Sequence, residues 1–451
     1  MPDQPDQPDQ PDQPDQPDQP DQPELPVEPE DETLLVTVSG DDRPGVTSAI
    51  FDAIADVGAE VRDLQQVVVR GQLTLAMLLA AGPRTDRLYE VIRRVGASLD
   101  LKVKVRRGLG DSARRSGRAA VVVIGSPLEA RSVAAVTARI AAHGANIDRI
   151  QRLSRYPVTT IELDISGADL DRLRRELALE AVAQGVDIAV SAGGLARRGR
   201  RLVVMDVDST LIQQEVIELL AARCGRGAEV AAVTERAMRG ELDFAESLRE
   251  RVAVLEGLDE SVLDAVRDEV VLTPGARTLV RTLKRLGFTV AVVSGGFIEI
   301  VGPLAAELGI DRAEANRLEI VDGRLTGRVV GEIVDRAGKA RALRRFAEEA
   351  GLPLSRTVAV GDGANDLDML AAAGLGIAFN AKPVVREQAH TAVNVPYLDA
   401  VLYLLGISRE EVEEADAADG VSTPAPPLPP RRPSGSSGEG VGALTQPFGS
   451  P

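Results

Sequence analysis

Tryptophan is absent from this chain of 451 residues, tyrosine and phenylalanine number only four and seven, and there is a single cysteine. Cys224 by itself cannot form an internal disulfide framework and suits a reducing compartment. Its Ala-rich, helix-patterned surroundings make it a small packed residue rather than a nucleophile. No apolar run approaches the roughly 20 residues that cross a bilayer, and the N-terminus has neither the basic start nor the apolar segment of a secretory signal. A cytoplasmic protein without a membrane partner is expected. Basic runs interleaved with aromatic residues are missing as well, so no nucleic-acid partner is expected. Lysine is the scarcest charge, with five residues against 47 arginines.

What is present divides the chain. The length suits two or three domains, and 44% hydrophobic residues can fill their cores. Of the net charge of -17, a large share sits in residues 1–32, which hold twelve Asp or Glu and no Lys or Arg. Seven Pro-Asp-Gln triplets fill residues 2–22; proline removes backbone donors and nothing apolar offsets the entropy of ordering, so residues 1–32 read as a disordered tail. Residues 409–451 are acidic, then Pro-rich, then Gly/Ser-rich, and read as a second disordered tail.

Between the tails lies a diverged repeat. Thr33 to Ser39 alternates like a strand, Asp41-Asp42-Arg43-Pro44-Gly45 makes a turn, Val46 to Val57 has helical periodicity, and strand, strand, helix and strand follow. About 86 residues later the order recurs from Ala119, with Gly58-Ala59-Glu60-Val61 answered by Gly144-Ala145-Asn146-Ile147. Each unit, 33–107 and 118–192, is expected to be a ferredoxin-like βαββαβ domain. The pair resembles tandem ACT domains, which implies amino-acid binding, serine being one candidate effector, or dimerisation alone; a homodimer is expected. In the second copy Ser126-Pro127-Leu128-Glu129 replaces the Asp-Arg-Pro-Gly turn. Residues 193–201 read as a flexible basic linker.

From 202 to 408 the pattern changes to strands alternating with helices, at Leu202 to Val207, Phe288 to Val293, Thr357 to Val360 and Leu375 to Ala378. The expected fold is a Rossmann-like α/β parallel sheet, whose strand ends gather polar residues in one crevice. Those ends carry Asp206 and Asp208, then Ser294-Gly295-Gly296, then Gly361-Asp362-Gly363-Ala364-Asn365-Asp366. Residues 212–272 interrupt the sheet after its first strand and read as a helical cap. Asp322-Gly323 reads as the turn of a β-hairpin.

Asp206-x-Asp208-x-Thr210, a strand ending in Ser-Gly-Gly, the isolated Lys339 and Gly-Asp-Gly-x-Asn-Asp, in this order, resemble the four motifs of the haloacid dehalogenase-like phosphohydrolases. Glu215, Met238-Arg-Gly-Glu-Leu-Asp-Phe244 and Ser247-Leu-Arg-Glu-Arg251 resemble the phosphoserine phosphatase branch of that family. The resemblance implies hydrolysis of O-phospho-L-serine, the last step of L-serine biosynthesis. Its alternatives are a phosphatase or phosphotransferase for another phosphorylated amino acid or alcohol, and an amino-acid sensor with a vestigial catalytic unit.

The residues suit that chemistry. A carboxylate with an ordinary pKa near 3.9 is ionised at neutral pH, so Asp206 can attack phosphorus without a separate base and form an aspartyl-phosphate. Asp208 would protonate the departing oxygen and then activate water, for which its pKa must lie above that of Asp206. Anions meeting a phosphate need positive charge, and hard oxygen ligands suit Mg²⁺. The family implies Asp206, Asp362 and the Asp208 carbonyl as its ligands, with Lys339, Ser294 and the Gly295 amide on the phosphate. Asp366 either ligates the metal directly or, the favoured reading, orients Asp362 and Lys339, with Thr210 also behind the ligands, and Asn365 is expected to reach the substrate. Glu215 would meet the substrate ammonium and Arg251 its carboxylate, with Met238 and Phe244 lining the pocket or the cap core. His143 and His390 lie outside the motifs.

Overall fold

The computed structural model describes residues 32–110, 116–193, 199, 201–239 and 241–424. The triplet tail to residue 31, most of the 193–201 linker, Gly240, the side chain of Met238 and everything after 424 lie outside the described residues. The chain forms two compact units, Met1–Arg114 and Arg115–Pro451.

The first unit runs β1 (Glu32–Asp41), α1 (Val46–Ala55), β2 (Val61–Val69), β3 (Gln72–Ala80), α2 (Thr85–Ser98) and β4 (Lys102–Leu109). Its antiparallel sheet has the order β2-β3-β1-β4. Alternation explains it: Leu34, Val36 and Val38 point to one face and bury against Ile50 and Ile54 of α1 and Leu88 and Ile92 of α2. The turn into α1 needs Gly45, whose φ of 93° a side chain rarely adopts.

The second unit repeats the plan with β5 (Ala119–Gly125), α3 (Ala130–Ala142), β6 (Asn146–Ser154), β7 (Thr159–Ser166), α4 (Leu170–Gln184) and β8 (Asp187–Ala192), in the order β6-β7-β5-β8. Here β5 is buried on both faces. Val121 and Val123 pack under α3 and α4, while Val122 and Ile124 on the opposite face join the core of the catalytic region.

That region continues in the same unit. After β9 (Leu202–Met205) come four cap helices, α5 (Val216–Arg223), α6 (Gly227–Met238), α7 (Phe244–Ala253) and α8 (Ser261–Arg267). Then follow α9 (Ala276–Arg285), β10 (Thr289–Phe297), α10 (Ile298–Leu308), β11 (Arg312–Val321), β12 (Arg324–Val330), α11 (Arg336–Glu349), β13 (Thr357–Gly361), α12 (Leu367–Ala372), β14 (Leu375–Phe379), α13 (Pro383–Gln388), β15 (Thr391–Val393), α14 (Val401–Leu404) and α15 (Arg409–Ala418). The seven strands stand in the order β12-β11-β10-β9-β13-β14-β15, parallel except for β12. β9 is central and the chain leaves it toward β10 on one side and β13 on the other, which opens a crevice at their carboxyl ends.

Three sequence expectations change. The first strand ends at Met205 rather than Val207, because the chain turns sharply over Val207–Leu211 with Ser209 left-handed at φ 56°. The hairpin at Asp322-Gly323 forms, but β11 is itself a parallel neighbour of β10, so the hairpin is the sheet's edge. The disordered tail does not begin at 409. Ser408 and Glu411 make a capping box for α15. Asp416 on that helix is buried, taking Arg281 Nε at 2.9 Å, Arg285 Nη1 at 3.1 Å and Thr423 Oγ1 at 2.7 Å. Asp416 and Asp419 are thus neutralised by the arginines of α9.

Candidate active site

The crevice is built from the ends of three strands, β9, β10 and β13, and the start of α11. Asp206 follows β9 and its backbone N–H donates to Val360 O on β13 at 2.9 Å, which fixes where the turn departs. The turn over Val207–Leu211 then swings Asp208 toward β10, where Oδ2 accepts from Ser294 Oγ at 2.8 Å and Oδ1 accepts from Val216 N at 2.7 Å. Gly296 donates its N–H to Ser294 Oγ at 2.7 Å, and a Cβ on Gly296 would stand 2.9 Å from Asp208 Oδ2. Glycine is required there because the carboxylate occupies the side-chain space.

Lys339, fully buried in the first turns of α11, reaches across to the other side. Its Nζ lies 2.7 Å from Asp206 Oδ2 and 2.7 Å from Asp366 Oδ1. Asp335 caps that helix by accepting from Gly338 N at 2.7 Å, so the lysine enters the crevice from a fixed end. Asp366 also accepts from Gly363 N through Oδ2 at 2.9 Å, leaving both its oxygens engaged. Thr210 Oγ1 donates to Asp362 Oδ1 at 2.9 Å, and half-buried Asn365 stands on the same turn as Asp362 and Asp366.

The electrostatics ask for a cation. Burial, with Asp366 next, pushes Asp206 well above the usual carboxylate range, against the pull of Lys339. Burial and Asp366 push Asp362 up to about 6. Lys339 is depressed by burial but raised more by Asp206 and Asp366, so it stays charged. One ammonium among Asp206, Asp362 and Asp366 leaves negative charge uncompensated, and these three place ligand oxygens within 4.8 Å of one another. An all-oxygen set of this kind fits a hard divalent cation, which would hold Asp206 and Asp362 ionised. Burial also raises Asp208, less the effect of its bonds from Val216 and Ser294. Both carboxyls are raised by burial, and a cation held by Asp206 would lower Asp206 relative to Asp208, the order expected from sequence.

The cap supplies a second pair of charges. Glu215 at the start of α5 accepts from Ser209 Oγ at 2.8 Å, and burial with Asp208 nearby pushes it up to about 7. Burial lowers Arg251, and the charge of Glu215 is the largest influence raising it. Its Nε donates to Ser247 O at 3.3 Å on α7. The same helix begins at Phe244, whose ring lies 3.1 Å from where a Gly295 Cβ would stand, so Phe244 closes over the Ser-Gly-Gly turn.

The structure thus gathers Asp206, Asp208, Glu215, Ser294, Lys339, Asp362 and Asp366 into one connected site, with Arg251 and Phe244 on the cap above it. The Ser294 hydroxyl donates to Asp208 here. His390 accepts from Gly376 N at 2.8 Å, a structural bond, and His143 caps α3. Two residues escaped the sequence reading. Ser209 had a signal in its place inside the first motif, while Asn316 had only the oddity of an amide within a strand.

Comparison with known proteins identifies the families of these domains. The family profile of haloacid dehalogenase-like hydrolases matches residues 203–371, and ACT domain profiles match 32–106 and 118–191. A phosphoserine phosphatase of Streptomyces coelicolor is 62% identical over 384 residues, 84% of this chain and 94% of that one. A phosphoserine phosphatase of Mycobacterium tuberculosis is 52% identical over 392 residues, 85% of this chain and 96% of its own. Among solved structures, an unliganded probable phosphoserine phosphatase from Vibrio cholerae superposes with a TM-score of 0.52 at 36% identity, covering 68% of this chain and 90% of that one.

Proposed function

The chain belongs to the phosphoserine phosphatase family of haloacid dehalogenase-like hydrolases, with two ACT domains ahead of the catalytic domain, and from that premise we propose that it hydrolyses O-phospho-L-serine to L-serine and phosphate. Asp206 attacks phosphorus and forms an aspartyl-phosphate, while Asp208 gives its proton to the departing serine oxygen. Asp208 then takes a proton from the water that cleaves the intermediate. Ser294 and Val216, which hydrogen-bond the two Asp208 oxygens, hold it on the leaving-group side. Lys339 neutralises Asp206 and the incoming phosphate oxygens, positioned by Asp366. Mg²⁺ held by Asp206, Asp362 and the Asp208 carbonyl would supply the remaining positive charge. Asn365 contacts the substrate, and the Gly295 amide a phosphate oxygen.

The observation that carries the choice of substrate is the opposed pair Glu215 and Arg251, both partly buried beside Asp208. A zwitterionic serine moiety presents the complementary ammonium and carboxylate. Release of serine makes this the last step of L-serine biosynthesis, and the ACT domains are the place for an amino-acid effector such as serine.

The test measures phosphate release from L-phosphoserine and p-nitrophenyl phosphate. Wild type is expected to prefer phosphoserine, to lose turnover on chelation and to regain it with Mg²⁺; Asp206→Asn should be inactive on both substrates. Arg251→Ala should raise KM for phosphoserine by about tenfold or more while sparing p-nitrophenyl phosphate. Equal losses on both would overturn the substrate assignment and leave the phosphatase chemistry standing.

A further inference from the structure

The geometry points to Asn316 as a positioning residue that braces the Ser294–Gly296 turn against the start of α11, and so fixes the spacing between Ser294 and Lys339. This rests on the reading of the crevice as a phosphate-handling site.

Asn316 is on β11 with a buried side chain. The ladder between β10 and β11 runs in register to Ser294 opposite Ala315 and then breaks, resuming with Phe297 opposite Asn316. Gly295 and Gly296 bulge out of the sheet at that break, where the backbone of β10 leaves the strand to form the turn. A bulge leaves backbone groups without ladder partners, and buried ones must find others. Asn316 Nδ2 donates to Gly295 O at 2.8 Å and fills that need. The other end of the same amide, Oδ1, accepts from Val334 N at 2.9 Å. Val334 immediately precedes Asp335, the cap of the helix that delivers Lys339.

One side chain therefore links two segments that the chain separates widely. Fixing the Gly295 carbonyl sets the orientation of the 295–296 peptide. Gly296 N–H then meets Ser294 Oγ, which in turn donates to Asp208. On the other side, holding Val334 sets where α11 begins and how far Lys339 reaches toward Asp206. The partners of the Asn316 amide are Gly295 and Val334 rather than Asp206 or Asp208, so its effect passes through the turn and the helix.

Space filling and bracing make different demands. Leucine has the four side-chain heavy atoms and the branch point of asparagine but is bulkier and makes neither hydrogen bond, while serine is smaller and cannot span both partners. A packing role would respond differently to Asn316→Leu and Asn316→Ser, whereas a bracing role is lost in both. Leu318→Ala, two residues along the same strand and also buried, serves as the control for general loosening of β11.

The experiment compares wild type, Asn316→Leu, Asn316→Ser and Leu318→Ala in the full chain, with kcat and KM on phosphoserine and p-nitrophenyl phosphate and the competitive Ki of inorganic phosphate. Asn316→Leu and Asn316→Ser are expected to weaken phosphate binding and kcat/KM on both substrates by about tenfold. Leu318→Ala should lower Tm while keeping the phosphate Ki within about twofold of wild type. A wild-type Ki in Asn316→Leu would overturn the brace. If that variant does not fold, amide exchange in wild type decides. Inorganic phosphate with Mg²⁺ should slow exchange at Val334 N–H together with Gly296 N–H, and no change at Val334 would overturn the proposal. Failure of wild type itself to turn over either ester or bind phosphate would instead overturn the reading of the crevice.

Discussion

The two βαββαβ repeats share a plan and differ in what covers their sheets. In the first, the face opposite the helices is open: Leu35 is exposed, and so are Val67 and Val69 along the edge strand β2. In the second, the matching face is core. Val122 and Ile124 pack with the catalytic region, and the edge strand β8 is bonded to β15. Thr391 Oγ1 donates to Ile188 O at 2.7 Å, while Asp187 accepts from Asn394 N at 2.7 Å and Asn394 Nδ2 at 2.6 Å. Arg152 on β6 also reaches Glu410 on α15 at 3.3 Å. Duplication thus produced one module that keeps its surface and one that became part of the enzyme.

Breaking the second repeat's buried face should have the largest effect. Val122→Asp places an unpaired carboxylate between the repeat and the catalytic core and is expected to cost on the order of 4 kcal/mol or more, unfolding the second unit and abolishing turnover. A near-normal Tm would contradict the shared core. Asp187→Ala leaves Asn394 N–H without its acceptor and should cost about 1–3 kcal/mol, read as a lower midpoint in denaturant. The reciprocal exchange sharpens the contrast. Thr37 stands on the first repeat's open face where Val122 stands on the second's covered one, as the alternation of the buried residues aligns them. Val122→Thr should destabilise by about 1–2 kcal/mol, and Thr37→Val by no more than about 0.5 kcal/mol.

The smallest difference is expected from removing the first unit. Glu215, raised to about 7, loses its charge as pH falls through that value, so KM for phosphoserine should rise below pH 7 while that for p-nitrophenyl phosphate stays level. A chain starting at residue 116 should show the same profile. Burial of Glu215 has the opposite sign for stability: because its folded pKa is raised from 4.5 to about 7, it contributes a cost that sets in above the unfolded value, grows as pH rises toward about 7 and is constant beyond. A shifted KM profile in the shortened chain would show that the first repeat reaches the crevice.

Much of this was legible from residue patterns. Alternation marked β1 and β3, helical periods marked the cap, and the order of Asp206, Ser294, Lys339 and Asp362 placed the site at strand ends. Even the difference between the repeats left a trace. Thr33 to Ser39 alternates, as a strand with one open face does, whereas Ala119 to Ile124 is apolar without a break, as a strand buried on both faces is. What covers the second face was not legible, because hydrophobicity reports a need for burial and not the partner. Nor was α15, whose acidic sequence is stabilised by arginines 131 to 135 positions away.

The sequence by itself determined the kinds of element, the identity of the reacting groups and the end of the sheet where they meet, since these follow from local periodicity and from motifs whose residues carry their own chemistry. The tertiary structure alone decided the partnerships: Lys339 between Asp206 and Asp366, Ser294 on Asp208, Asn316 across the β10 bulge, and the second repeat inside the catalytic core. Each joins atoms far apart in the chain, and only the folded backbone sets those distances.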